Sequence, residues 1–274
     1  MAGNRRRTSR KTKDFIMKSV TKPLVRECLA EMLATFVLTL FGCGAVVRRT
    51  LTELCLNEEI NSLMLVIGSN LSLWVAGCVV RGISGCHANP AVSLAMACVG
   101  RLKWKNFLFY VIAQFIGAFL GAALFYGIYY DALMAFIWSL PTCGKLVSSR
   151  FFASYPIRPL SILDGLYCQV VGTAFWIMLV LVTDRRIFGA LSFWKVLLTI
   201  ALVMETISQS LGMDCESTLN PARDLGPRLF SAVAGWGTSV FSAGNNWWWI
   251  PVVGPMIGGL IAAFLYELVI MLDL

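Results

Sequence analysis

Six apolar runs, at about 28–47, 62–80, 107–130, 166–182, 194–213 and 249–272, take up nearly half of a 274-residue chain. Each is long enough, or nearly so, to supply the roughly 20 apolar residues with which a helix crosses a hydrocarbon core about 30 Å thick. The connections between them are short, so no sizeable catalytic domain fits outside a bilayer. Apolar residues make up 58% of the chain and charged residues 14%, with a mean hydropathy of +0.73. That balance excludes a disordered chain and argues against a water-soluble globule.

Two further stretches are too short to cross: the apolar Gly85–Gly100, between the second and third runs, and Asp214–Val233, between the fifth and sixth, which is studded with polar residues. Irregular backbone at membrane depth persists only where it lines a cavity or is buried in protein. Both stretches contain Asn-Pro-Ala, at Asn89–Ala91 and Asn220–Ala222. Asparagine is a favoured helix N-cap, and proline suits the first helical position, where its missing N–H costs nothing. Pro90 and Pro221 therefore mark helix starts. The halves echo each other elsewhere. Glu31 and Thr35 in the first run match Gln169 and Thr173 in the fourth, and Gly117-x-x-x-Gly121 in the third matches Gly254-x-x-x-Gly258 in the sixth. The glycine pairs read as tight helix packing. Three spans per half turn the second copy upside down relative to the first, an arrangement that builds a site at the midplane. The expected fold is an all-α membrane protein: six transmembrane helices plus two re-entrant half-helices in an inverted repeat. Residues 1–26 form a basic tail; 27–274 form one channel domain, divided into repeats at 27–135 and 160–274.

The formal charge of +8 is concentrated before the first run, at Arg5, Arg6, Arg7, Arg10, Lys11, Lys13, Lys18, Lys22 and Arg26. Beside an apolar span, such a cluster marks a cytoplasmic N-terminus and not a nucleic-acid surface. An organelle-targeting peptide is the alternative. Arg101, Lys103, Lys105, Arg185, Arg186 and Lys195 agree with both termini inside, whereas Arg48 and Arg49 oppose it. Most of the nine cysteines lie in apolar runs, no Cys-x-x-Cys occurs and His87 is the sole histidine, so no metal site or cofactor is expected. Cys55, Cys143 and Cys215 fall in loops or near span ends.

The half-helices would meet end to end at the midplane, each presenting the positive end of its dipole. Asn89 and Asn220 would offer amide donors into a shared lumen, holding a water oxygen or a solute hydroxyl while the dipoles disfavour cations and proton hopping. Arg223 follows Asn220 by three residues and shares its helix face. Burying arginine at the bilayer centre costs roughly 2.5–3.5 kcal/mol on insertion scales, so it should face water as a fixed cation in the narrowest part of a pore. An ion pair with Asp224 is the alternative. Glu31 and Gln169 need buried partners, for which the backbone N–H groups of the re-entrant loops are available.

Ser84-Gly85-Cys86-His87-Ala88-Asn89-Pro90-Ala91 and Leu219-Asn220-Pro221-Ala222-Arg223-Asp224, followed by Gly226-Pro227-Arg228 and Ala234-Gly235-Trp236-Gly237, resemble the aquaporin (major intrinsic protein) family from about residue 23 onward. Asp224, Tyr129-Tyr130-Asp131-Ala132, Phe152-Ala153-Ser154-Tyr155-Pro156 and Pro251 look like its aquaglyceroporin branch, and Asn89-Pro90-Ala91-Val92-Ser93-Leu94-Ala95-Met96 with Ser242-Ala243-Gly244-Asn245-Asn246-Trp247-Trp248-Trp249 most resembles the broad-selectivity vertebrate type. The resemblance implies a plasma-membrane homotetramer that passes glycerol, water and other small neutral solutes, with one pore per protomer. It places Ser208, Ser217 and Arg223 at the outer constriction, with Leu65 or Ser69 where the family carries an aromatic residue. His87 and Asp224 are counted with the pore-lining groups. Glu216 replaces a usual glycine, and Glu205 lies three residues before Ser208, where the family is apolar. Glu205 is either buried and hydrogen-bonded or protonated, or it lines the lumen and makes permeation pH-dependent. Two other readings stand beside the channel: a diverged member with altered or lost conduction, and an ion-coupled secondary transporter with Glu205 as its coupling group. An enzyme lacks a Ser-His, paired-Asp or metal constellation at membrane depth.

Overall fold

The computed structural model describes residues 22–51, 62–80, 82–140, 144–156, 160–183, 193–211 and 218–272. In chain order its α-helices are α1 (Pro23–Leu51), α2 (Ser62–Val80), α3 (Pro90–Cys98), α4 (Trp104–Ile128), α5 (Tyr130–Ser139), α6 (Gly144–Ser149), α7 (Ile162–Val182), α8 (Phe193–Leu211), α9 (Pro221–Ser231), α10 (Ser239–Asn246) and α11 (Ile250–Leu272). The six expected runs appear as α1, α2, α4, α7, α8 and α11, with α1 starting at Pro23, ahead of its apolar run. Pro23–Val47, Trp104–Ile128, Ile162–Val182 and Ser239–Val269 are long and apolar enough to cross a bilayer. The two short stretches contain α3 and α9, each opened by the proline of Asn-Pro-Ala. The basic tail up to residue 21 and Cys55, Cys143 and Cys215 lie outside the described residues.

Each long helix sorts its residues by what lies beside it. On α4, Phe109, Ile112, Ile116, Leu120 and Leu124 form an exposed apolar stripe. The opposite face buries Ala113, Gln114, Gly117, Ala118, Gly121 and Ala122. Between helices in lipid no hydrophobic gain is available, so small residues that let backbones approach closely drive the packing. Gly117 and Gly121 of α4 lie against the carbonyls of Met32 and Phe36 on α1; Gly258 of α11 lies against that of Val170 on α7.

The packing is paired. α1 packs on α4 and α7 on α11, α1 on α2 and α7 on α8, while each half-helix lies on the long helix of the other half, α9 on α4 and α3 on α11. Gly226 meets Ala118 in the first of these last contacts, and Gly259 meets the Ala91 carbonyl in the second. One apolar core surrounds α3 (Ala91, Val92, Ala95, Trp176, Ile177, Ala262). A second, rich in aromatic rings, lies beside α9 (Phe125, Phe151, Phe152, Phe230, Trp236). Trp247 is buried at 1% exposure against Gly165.

A side chain at Gly121 would place its Cβ 2.5 Å from the Phe36 carbonyl oxygen, whereas Gly127 on the same helix has no atom within 4 Å. Gly121→Leu is therefore expected to part α1 from α4 and abolish recovery of monodisperse protein after detergent extraction, while Gly127→Leu extracts normally. Size-exclusion profiles of the two variants check this.

Candidate functional site

The two half-helices begin nose to nose. Asn89 (φ −158°, ψ 123°) and Asn220 (φ −146°, ψ 107°) are extended N-caps of α3 and α9. Asn89 Oδ1 accepts from the Ala91 N–H at 2.8 Å; Asn220 Oδ1 accepts from those of Ala222 at 3.0 Å and Arg223 at 3.2 Å. With the oxygens committed to their own helices, the amide nitrogens reach across. Asn89 Nδ2 donates to the Leu219 carbonyl and Asn220 Nδ2 to the Ala88 carbonyl, both at 2.8 Å. Each asparagine thus grips the residue just before the other. Those two residues have left-handed backbones, φ 47° at Ala88 and φ 49° at Leu219, though neither is glycine. Such a conformation costs roughly 1–2 kcal/mol per residue. It persists because hydrogen bonds on both sides over-determine it. One N–H of each amide joins the loops, which leaves the second for another acceptor.

Buried side chains hold the loops from outside. Glu31, at 0% exposure, accepts at Oε1 from the His87 N–H (2.9 Å) and at Oε2 from the Ala88 N–H (2.7 Å) and Gln114 Nε2 (2.9 Å). Gln114 Nε2 also donates to Ser93 Oγ at 2.9 Å, and that hydroxyl lies 3.0 Å from His87 Nδ1. His87, expected among the pore-lining groups, is enclosed in this network with its ring 5.3 Å from that of Tyr110. In the second half, Gln169 Oε1 accepts from the Leu219 N–H at 3.2 Å.

Arg223 stands in the first turn of α9, half-buried, and donates from Nη1 to the Phe152 carbonyl at 3.0 Å. Asp224 points elsewhere, which corrects both the pore role and the alternative pairing with Arg223. Fully buried, it accepts at Oδ1 from Arg228 Nε (3.0 Å), with Arg228 Nη2 in ion-pair contact at 2.9 Å, and at Oδ2 from the Ser154 N–H (2.8 Å) and hydroxyl (2.5 Å). Arg228, also fully buried, donates to the carbonyls of Val240 (2.8 Å) and Ser154 (2.6 Å) and lies 4.4 Å from the Tyr155 ring centroid. A carboxylate so enclosed has its counter-charge one turn along its own helix and meets no solute. Its work is to clamp the 151–155 segment to α9, which fixes the Phe152 carbonyl that Arg223 bonds. The i,i+4 spacing of Asp224 and Arg228 was the available signal for this pair.

Ser217 and Glu216 lie outside the described residues, as do the side chains of Leu65, Ser69, Glu205 and Ser208, although their backbones belong to α2 and α8.

Paired helical halves with two capped half-helices abutting between them make this an integral membrane protein of the aquaporin fold. The chain belongs to the major intrinsic protein family, whose profile matches residues 18–266. It is 44% identical to Aquaporin-9 of Homo sapiens over 263 residues, covering 95% of this chain and 88% of that one. Aquaporin-10 of Homo sapiens is 39% identical over 251 residues, with 91% and 82% covered. The crystal structure of the aquaglyceroporin from Plasmodium falciparum superposes with a TM-score of 0.79 at 27% identity, covering 90% of this chain and 97% of that one.

Proposed function

We propose that this chain is a passive channel for glycerol, water and other small neutral solutes. It acts in the plasma membrane with both termini cytoplasmic, as a homotetramer with a pore in each protomer. The reading rests above all on the reciprocal Asn89–Leu219 and Asn220–Ala88 hydrogen bonds, which hold two helix N-termini face to face. Facing N-termini concentrate positive potential, so cations are repelled while a neutral hydroxyl accepts a hydrogen bond from the amides. Arg223 adds a fixed donor beside them. The likeness to an aquaglyceroporin and to Aquaporin-9 supports polyols as permeants. Ser208, Ser217 and Leu65 or Ser69 set the width of the outer constriction.

Purified protein in liposomes is expected to pass water, glycerol and urea at rates linear in the gradient and with a low activation energy. Saturable, steeply temperature-dependent uptake would make it a carrier, and absence of swelling would make it a non-conducting relative. Either result overturns the proposal.

A further inference from the structure

We propose that Gly42 of α1 is a specificity-determining residue: its missing side chain forms the seat in which the Arg223 guanidinium lies, and so sets how far that cation reaches into the solute path. The inference rests on the channel reading and deepens it by naming a residue that tunes solute size from outside the half-helix junction.

Gly42 is buried on α1, between the buried Leu38, Thr39 and Cys43. A methyl group at this position would sit 3.1 Å from Arg223 Nε, 3.6 Å from Nη2 and 3.7 Å from Cζ. The first distance is shorter than ordinary van der Waals contact, so the guanidinium would have to move. This sets Gly42 apart from Gly117, Gly121 and Gly258, whose nearest neighbours are backbone carbonyls of a packed helix. Here the neighbour is one charged side chain from another element. The guanidinium is held on a second side by the Phe152 carbonyl at 3.0 Å. That carbonyl belongs to the segment clamped through Ser154 to Asp224. Arg223 is only half-buried while Gly42 is closed in, so any group grown on α1 drives the cation away from the helix and toward its open side.

Helix propensity points the other way. Alanine is a better helix former than glycine, so α1 itself would welcome Gly42→Ala. A loss caused by that substitution comes from the seat and not from the helix. Because a glycerol molecule is wider than water, a displaced guanidinium penalises it more.

The test measures water and glycerol permeability of Gly42→Ala and Gly42→Val in liposomes. Gly44→Ala is the control, since its methyl would meet Phe125 at an ordinary 3.9 Å. Glycerol permeability is expected to fall about ten-fold in Gly42→Ala, the scale of one misplaced carbon in a fitted site, and further in Gly42→Val. Water falls much less, and Gly44→Ala keeps the wild-type ratio. Shortening the cation by Arg223→Lys in the Gly42→Ala background is expected to recover the glycerol-to-water ratio. Equal losses of both solutes, or an unchanged ratio, overturn the inference while leaving the channel reading intact. If wild-type protein passes neither solute, the channel reading fails. A density map of Gly42→Ala then decides the seat: a guanidinium still lying on α1 overturns it, and one shifted from α1 supports it.

Discussion

Asp224→Ala is expected to cost about 3–5 kcal/mol of stability, the range for removing one partner of a buried ion pair and leaving the other charged and unpaired. The stranded group is Arg228, at 0% exposure and closed in by the Val240 and Ser154 carbonyls and the Tyr155 ring. Two further donors, the Ser154 N–H and hydroxyl, lose their acceptor in the same step. Asp224→Asn keeps the shape and one acceptor oxygen but not the charge, so it should fall between wild type and alanine. Replacing both partners by apolar residues, Asp224→Leu with Arg228→Met, is expected to recover part of the loss, because no buried charge is left behind. Thermal unfolding of the detergent-purified variants checks the order. A single alanine variant as stable as wild type would refute the assignment of this pair as an anchor. Solute passage should fall in parallel, because the 151–155 segment carries the Phe152 carbonyl to which Arg223 is tied.

The parts of this architecture that local chemistry dictates are legible in the sequence alone. A cap residue followed by proline favours a helix start, and both half-helices begin where Asn89-Pro90 and Asn220-Pro221 place them. Buried acceptors such as Glu31 and Gln169 must find donors, and the exposed backbone of a re-entrant loop is the nearest supply. What was not legible depends on long-range placement. Asn89 and Leu219 meet across 130 positions of chain, and nothing local to either announces it. The left-handed backbone at Ala88 and Leu219 was hidden for the same reason, since residues with a Cβ carry no signal for it. Family likeness placed Asp224 beside the pore, whereas its spacing to Arg228 pointed to an i,i+4 partner. Helices α5 and α6, between the halves, were not singled out at all.

The second large effect falls on the other half of the junction. Glu31→Ala removes the acceptor for three buried donors: the His87 N–H, the Ala88 N–H and Gln114 Nε2. Each orphaned donor costs about 1–3 kcal/mol, so the expected loss is about 3 kcal/mol or more, reduced where water enters the space. The damage should also travel. The Ala88 N–H fixes the residue whose carbonyl receives Asn220 Nδ2, so freeing it loosens the cap of α9 from the opposite half of the molecule. Solute passage is therefore expected to fail along with stability. Glu31→Gln separates shape from chemistry. Its amide is satisfied best with the oxygen toward the two donors, the Ala88 N–H and Gln114 Nε2, which leaves its NH2 group against the His87 N–H, donor facing donor. Its stability should fall between wild type and alanine, and its solute passage should be retained better than in Glu31→Ala, since the contact that positions Ala88 is kept. Unfolding temperatures and liposome fluxes measured on the same preparations decide the matter. A Glu31→Gln protein that matches wild type in both would show that these loops hold their shape without the carboxylate.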